Sequence, residues 1–400
     1  MSCCRLISLK RIVLHQRILM MVTYCFSKLL ILALVFVLIT PPDVCVRTER
    51  VVCSFWSSES SSRVGEYTFH IQNIPAGLCT HVAFYSIAID FRSKELLIEK
   101  PEHGDAVSDW QKFLDLKRVN PQIKLLITIQ TPLVMRVAAV EQHRKKLIKS
   151  IVGYVETLNL DGVEIFWRGD FDSGYFLLIE ELKSHLVEAG RSACEVTVLV
   201  EIDKKTTEHE RLCRLADFVH VIGTRERRPE YHGPDQKPIA NALYAVAGVQ
   251  NLTLERALQH WIDSKCPANK LTLVTVFMAQ GFRLVDENET GEVHELTELS
   301  FLRNGSSYCG YIEFCQILKN SEWSIGWDDA EGLAPHATQG DRWVSFENVA
   351  SIERKGEISR AMGLAGVYGA ALETDDYLGK CGTVYPLIKA LRRSFLQTKA

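Results

Sequence analysis

From residue 51 onward the chain repeats one unit: a short run of β-branched and aromatic residues, then a stretch with helical spacing. The runs are Val51–Trp56, Thr80–Ile87, Ile123–Ile129, Asp161–Trp167, Glu195–Ile202, Asp217–Ile222, Leu271–Phe277 and Val367–Leu372. Each has the composition of a strand. His143–Leu158 carries apolar residues at 147, 148, 151, 152 and 155, the spacing of a helix, and Gly174–Leu186, Leu254–Ser264 and Pro386–Phe395 also read as helices. Alternating strands and helices make a parallel sheet with helices outside it. Eight such units over about 350 residues fit an α/β fold of the closed (β/α)8 TIM-barrel type better than an open sheet.

The rhythm fails once. Almost ninety residues separate Phe277 from Val367, too many for one connecting helix. Within them Tyr308–Leu318 and the aromatic-rich Trp323–Trp343 predict a small α+β insertion. Arg225–Pro238 reads as a long exposed loop.

The amino terminus reads as an address. Arg5, Lys10, Arg11, Arg17 and Lys28 precede an unbroken apolar run, Leu29–Ile39, with no acid among residues 1–28. A basic flank before such a run is the pattern of a signal peptide. No small-x-small cleavage site follows, and apolar character already begins near Ile18, so a retained type II signal anchor fits as well. Residues 1–48 are therefore expected to be a cytosolic basic segment with a signal peptide or anchor, and 49–398 the barrel. By the positive-inside rule the amino terminus stays in the cytosol, and the barrel is secreted, extracellular or lumenal. Nine cysteines from Cys45 onward fit an oxidising compartment, although their odd number leaves at least one unpaired or intermolecular. Three sequons, at Asn251, Asn288 and Asn304, lie in polar, turn-like stretches where a glycan is tolerated.

Composition excludes several classes. A formal charge of -3, from 46 basic and 49 acidic residues, gives no bulk attraction to nucleic acid. Membrane contact is expected only through the amino-terminal segment. The twelve histidines show no H-E-x-x-H spacing and the barrel has no C-x-x-C pair, so no metal is expected. No phosphate-cradling glycine loop is present, and no cofactor is expected.

The fourth strand, Asp161-Gly-Val-Glu164-Ile-Phe166-Trp167-Arg168, resembles the D-G-x-D-x-D-W-E signature of glycoside hydrolase family 18, the chitinases and chitinase-like lectins. Asp161, Gly162 and Trp167 match. Other segments follow in family order: Val52-Cys53, Leu78-Cys79-Thr80-His81, Lys117 to Leu126, Lys270-Leu271, Glu313-Phe314-Cys315, Trp343-Val344, and Asp375-Asp376-Tyr377 to Cys381-Gly382. The similarity covers residues 51 to about 396. It implies the barrel, an insertion domain between the seventh strand and seventh helix at about 278–345, and disulfides Cys53–Cys79 and Cys315–Cys381.

The chemical positions diverge. In the family the final Glu of the signature is the general acid, and the Asp before it orients the N-acetyl group whose carbonyl oxygen attacks the anomeric carbon. Here those places hold Arg168 and Phe166, and Glu164 replaces the first Asp of the triplet. A guanidinium with a pKa above about 12 donates no proton near working pH. The family's M-x-Y-D aligns with Ile222-Gly223-Thr224-Arg225, its S-x-G-G with Thr128 to Thr131, its eighth-strand Trp with Ala370, and its Tyr-Gly-Arg with Met278-Ala279-Gln280. Strand alternation points Glu164, Phe166 and Arg168 inward together.

These substitutions predict a chitinase-like pseudoenzyme with no catalytic residue, acting by binding a carbohydrate or a protein partner. The candidate binding residues are Phe55, Trp56, Tyr85, Arg168, Glu201 and Arg225. Arg168 and Glu201 are placed to form a bidentate pair across neighbouring strands. The alternative for Arg168 and Arg225 is a pocket for an anionic glycan or other anion. Asp170 and Asp172 are expected to start the following helix. Asp375 and Asp376 follow the family's structural pattern. Two alternatives for function stay open: a residual lectin for chitin-type oligosaccharides, and a hydrolase using an unrecognised acid pair.

Overall fold

The structure, a computed structural model, describes residues 50–97, 106–130, 133–167, 171–202, 208–223, 253–285, 293–295, 297–320, 322–327, 333 and 335–397. Eight parallel strands close into a barrel: β1 Arg50–Trp56, β2 His81–Ile89, β3 Lys124–Gln130, β4 Gly162–Phe166, β5 Glu195–Glu201, β6 Phe218–Ile222, β7 Leu271–Val276 and β8 Gly366–Ala370. Closure runs through β1, which pairs in parallel with β8 on one side (Val52 opposite Tyr368) and β2 on the other (Val52 opposite His81). Each strand lies within a residue or two of a run legible in the sequence.

Both faces of the barrel wall are covered, which is why the strands read as nearly continuous apolar runs. On β1, Val51, Cys53 and Phe55 join the outer core shared with the helices, while Val52 faces the barrel interior. On β4, Val163 and Ile165 face outward, as does Trp167 just after it, and Phe166 faces inward. Trp167 stacks toward Tyr175 of the helix Ser173–Glu188, with ring centroids 4.3 Å apart. The glycine of the Asp161-Gly162 pair is required by packing. A Cβ there would lie 2.8 Å from Leu126 Cγ and 3.0 Å from the Glu195 carbonyl oxygen. Asp161 fixes the entry to β4, accepting the Leu125 amide at 2.8 Å and pairing with Lys117 at 2.7 Å.

The helices Glu141–Thr157, Ser173–Glu188, Leu254–Asp263 and Pro386–Leu396 stand where periodicity places them. Three others, Ala106–Val119, His209–Leu215 and Val349–Ala361, lacked a clear sequence pattern. The last starts on a side-chain cap rather than an apolar stripe: Asn348 Oδ1 accepts the Ser351 amide at 2.9 Å.

A second sheet occupies the interval after β7. Met278–Leu284 pairs antiparallel with Val293–Glu295, Tyr308–Gly310 and Arg342–Ser345, and the sheet continues through Pro335–Gln339 to Ser324–Trp327. Helix Tyr311–Asn320 packs on it through Phe314, which meets Phe346 at 5.0 Å between ring centroids. Disulfides join Cys53 to Cys79 and Cys315 to Cys381, the two pairs that the resemblance implies, and a third joins Cys213 to Cys266. Residues 1–49, with the basic segment and its apolar run, lie outside the described residues. Among the described residues no helix is long and apolar enough to cross a membrane.

Candidate functional site

In a (β/α)8 barrel the loops that carry chemistry sit at the carboxyl ends of the strands. A cavity opens there, with about 580 Å³ between its walls, mouth included. Trp56 at the end of β1 and Tyr85 on β2 stack, with centroids 4.8 Å apart and planes 25° from parallel. Phe166 of β4 stands beside Tyr85 at 6.3 Å and is 5% exposed. Leu199, Ile222, Val274 and Ala370 complete an apolar wall, and Ser54, Tyr368 and Glu201 supply polar groups.

Beneath the cavity a polar column fills the barrel axis. Glu164 is fully buried; its Oε2 accepts the Thr128 hydroxyl at 2.7 Å and the Tyr368 hydroxyl at 3.4 Å, and its Oε1 lies 2.6 Å from His220 Nδ1. The far ring nitrogen of His220 lies 3.5 Å from a guanidinium nitrogen of Arg50. Arginine only donates, so that nitrogen accepts and Nδ1–H donates to Glu164: His220 is the neutral tautomer. Burial pushes its pKa down, in keeping with that state.

Arg50 continues the column. Its guanidinium donates to Glu195 at 2.8 Å and to His81 Nε2 at 2.8 Å. His81 is therefore also neutral, its Nδ1 2.7 Å from the Thr80 hydroxyl, and burial lowers its pKa to about 4. Burial works against the Glu195 carboxylate, but the positive charges of Arg50 and Lys124 beside it prevail and hold it well below the usual carboxylate range.

Of the candidate residues, Trp56, Tyr85 and Glu201 line the cavity together, with Phe166 and Ala370. Phe55 does not. It is one residue out of phase with Trp56, so it points outward and packs on Phe69 and Phe84, with centroids 5.9 and 5.6 Å away. Arg168, Thr224, Arg225 and Asp170 lie outside the described residues, so neither the expected Arg168–Glu201 pair nor the anionic pocket is placed. Asn251 and Asn288 lie outside them too, whereas Asn304 sits exposed in a turn.

The remaining acids are structural. Asp172 caps the helix Ser173–Glu188 by accepting the Tyr175 amide at 2.8 Å. The Asp375 carboxylate accepts the amides of Leu387 and Ile388, at 3.2 and 3.0 Å, at the start of the last helix. Burial nonetheless raises its pKa to about 7. Asp376 accepts the amides of Lys380 and Cys381 at 2.8 and 2.7 Å. Among the described residues Asp376, Cys315 and Cys381 approach one another as metal ligands would, but the two sulfurs are bonded to each other. Gln280 belongs to the second sheet, where its amide donates to the Tyr308 hydroxyl at 2.6 Å.

Sequence reading missed Ser54, Tyr368, Leu199, Ile222, Val274 and Val276 as lining residues. A signal existed for two of them: Ser54 is two positions before Trp56, and Tyr368 two before Ala370, each pair on one face of its strand.

A closed (β/α)8 barrel with its cavity at the strand ends, and an α+β unit inserted after the seventh strand, defines the class of protein. The chain belongs to glycosyl hydrolases family 18, whose sequence model matches residues 50–375. The endochitinase of Manduca sexta is 25% identical over 374 residues, covering 86% of this chain and 67% of that protein. The human chitinase-3-like protein 2 is 24% identical over 380 residues, covering 86% of this chain and 92% of that protein. The Group IV chitinase of Ostrinia furnacalis superposes with a TM-score of 0.77 at 23% identity, covering 87% of this chain and 100% of its own. Human YKL-39, described as a pseudo-chitinase with retained chitooligosaccharide binding properties, superposes with a TM-score of 0.73 at 23% identity, covering 86% of this chain and 99% of its own. These likenesses between structures establish the fold.

Proposed function

We propose that the protein is a chitinase-like binding protein that does not cleave glycosidic bonds. The observation that carries this reading is Phe166. By the resemblance to the family signature it stands where the family has the carboxylate that assists hydrolysis, and its ring forms part of the cavity wall. The same resemblance aligns Arg168 with the general acid, and loss of such an acid costs on the order of 10² to 10⁴ in rate. Glu164 offers no substitute, because both its oxygens are engaged beneath the floor. Glu201 is the one carboxyl among the described residues of the wall, and a hydrolase built on it is the competing reading.

Carbohydrate is the favoured ligand class. The stacked faces of Trp56 and Tyr85 suit sugar rings, and YKL-39 is described as binding chitooligosaccharides without being a chitinase. A protein partner is the alternative. The barrel is assigned to the extracellular or lumenal side, by secretion or a type II anchor, on the strength of the amino-terminal pattern and three disulfides. Titration with N-acetylglucosamine oligomers, with the oligomers recovered afterwards, tests both halves of the reading. Binding with every oligomer intact is expected. Shortened oligomers overturn the non-cleaving assignment, and no retention on chitin at moderate salt turns it toward a protein partner.

A further inference from the structure

The chemistry of the inner cavity differs from that of its mouth. Beside the Trp56–Tyr85 pair the described wall is mostly ring and hydrocarbon, from Phe166, Leu199, Ile222, Val274 and Ala370, with Ser54, Tyr368 and Glu201 as its polar groups. A pyranose carries hydroxyls around its whole edge, and each one buried without a partner costs about 1–3 kcal/mol. Among the described residues the hydroxyls of this wall are those of Ser54, Tyr85 and Tyr368. That of Tyr368 is 3.4 Å from Glu164 and already serves the column beneath. The described wall has the composition of small-molecule sites, mostly apolar with a few polar groups.

Two positions create this character. Phe166 supplies a buried apolar ring, and Ala370, 4% exposed, leaves the opposite wall low. We infer that the inner cavity binds a small uncharged aromatic or aliphatic molecule, its ring against Phe166 and beneath Trp56 and Tyr85, and that any sugar stays outside it. Mostly apolar cavities accept such ligands because few polar groups have to be stripped of water. The inference rests on the reading that the barrel mouth binds rather than cleaves, and it names the ligand class of its inner part.

Indole is a suitable probe, followed by saturation-transfer NMR on the full secreted chain with an N-acetylglucosamine tetramer as competitor. Saturable binding of indole at one site, undisturbed by the tetramer, is expected. Phe166→Asp, which puts a charge on the wall, and Ala370→Leu, which fills the space, should each weaken indole by about tenfold or more. If Phe166→Asp does not fold, Ala370→Leu and Val276→Phe make the same test by volume alone. Absence of indole binding by the folded unaltered protein overturns the inference. So does binding indifferent to the volume-filling variants, or displacement of indole by the tetramer. Cleavage of the tetramer in the same sample is a separate outcome that overturns the binding reading itself.

Discussion

His220 Nδ1 lies 2.6 Å from Glu164 Oε1, and both side chains are completely buried inside the barrel. The strand that carries chemistry in this family thus has its first acidic side chain spent on holding β4, β6 and β1 together through Arg50. Removing one member leaves the other buried without its partner, at a cost of about 3 kcal/mol or more. His220→Leu should show that loss in denaturant unfolding. Glu164→Gln keeps an acceptor for His220 and should cost less. Equal, small losses for the two would mean that the column does not support the barrel.

Acid should weaken the fold through its buried imidazoles. His81 and His209 have pKa values lowered by burial from 6.5 to about 4. As pH falls below 6.5 the unfolded chain takes up these protons first, so stability is complete above about pH 6.5 and is lost between there and pH 4. His209 packs edge-on against Trp261 at 4.3 Å, and His209→Phe should flatten the decline of Tm with pH. A Tm that rises on acidification over this interval would contradict the tautomers assigned here.

Asp172 separates a structural acid from a catalytic one. Loss of its cap in Asp172→Ala should lower stability by about 0.5–2 kcal/mol and leave ligand binding unchanged. A variant of normal stability that no longer binds would place Asp172 in the site instead.

The third disulfide bears on the compartment. Cys213 and Cys266 are 53 residues apart, and closing such a loop contributes about 2–4 kcal/mol. The double variant Cys213→Ala/Cys266→Ala should unfold at correspondingly lower denaturant. Free thiols at both positions in the purified protein would show that the bond is not formed.

Much of this was legible before any coordinates. The eight strands announce themselves because both faces of a barrel wall are buried, so runs such as Val196–Val200 hardly alternate. Phe166 could be placed on the inner face from Glu164 by counting two. The misplaced Phe55 shows the same rule ignored: neighbours on one strand cannot both face the cavity, and Trp56 took the inner side. The polar column was not legible. Glu164 meets His220 across 56 residues, and Arg50 meets Glu195 across 145, through barrel closure that no local pattern encodes. The cap at Asn348 is local, reaching the Ser351 amide three residues on, but the one at Asp375 is not. Asp375 reaches amides twelve and thirteen residues on, beyond the reach of a capping motif.

The central claim, that this barrel binds and does not hydrolyse, is tested most directly by prolonged incubation of the unaltered protein with a fluorogenic N-acetylglucosamine oligomer, beside Glu201→Gln. Release at the rate of the buffer blank, the same for both proteins, is the predicted result. Turnover by the unaltered protein that disappears in Glu201→Gln would contradict it and make Glu201 the acid of a working hydrolase.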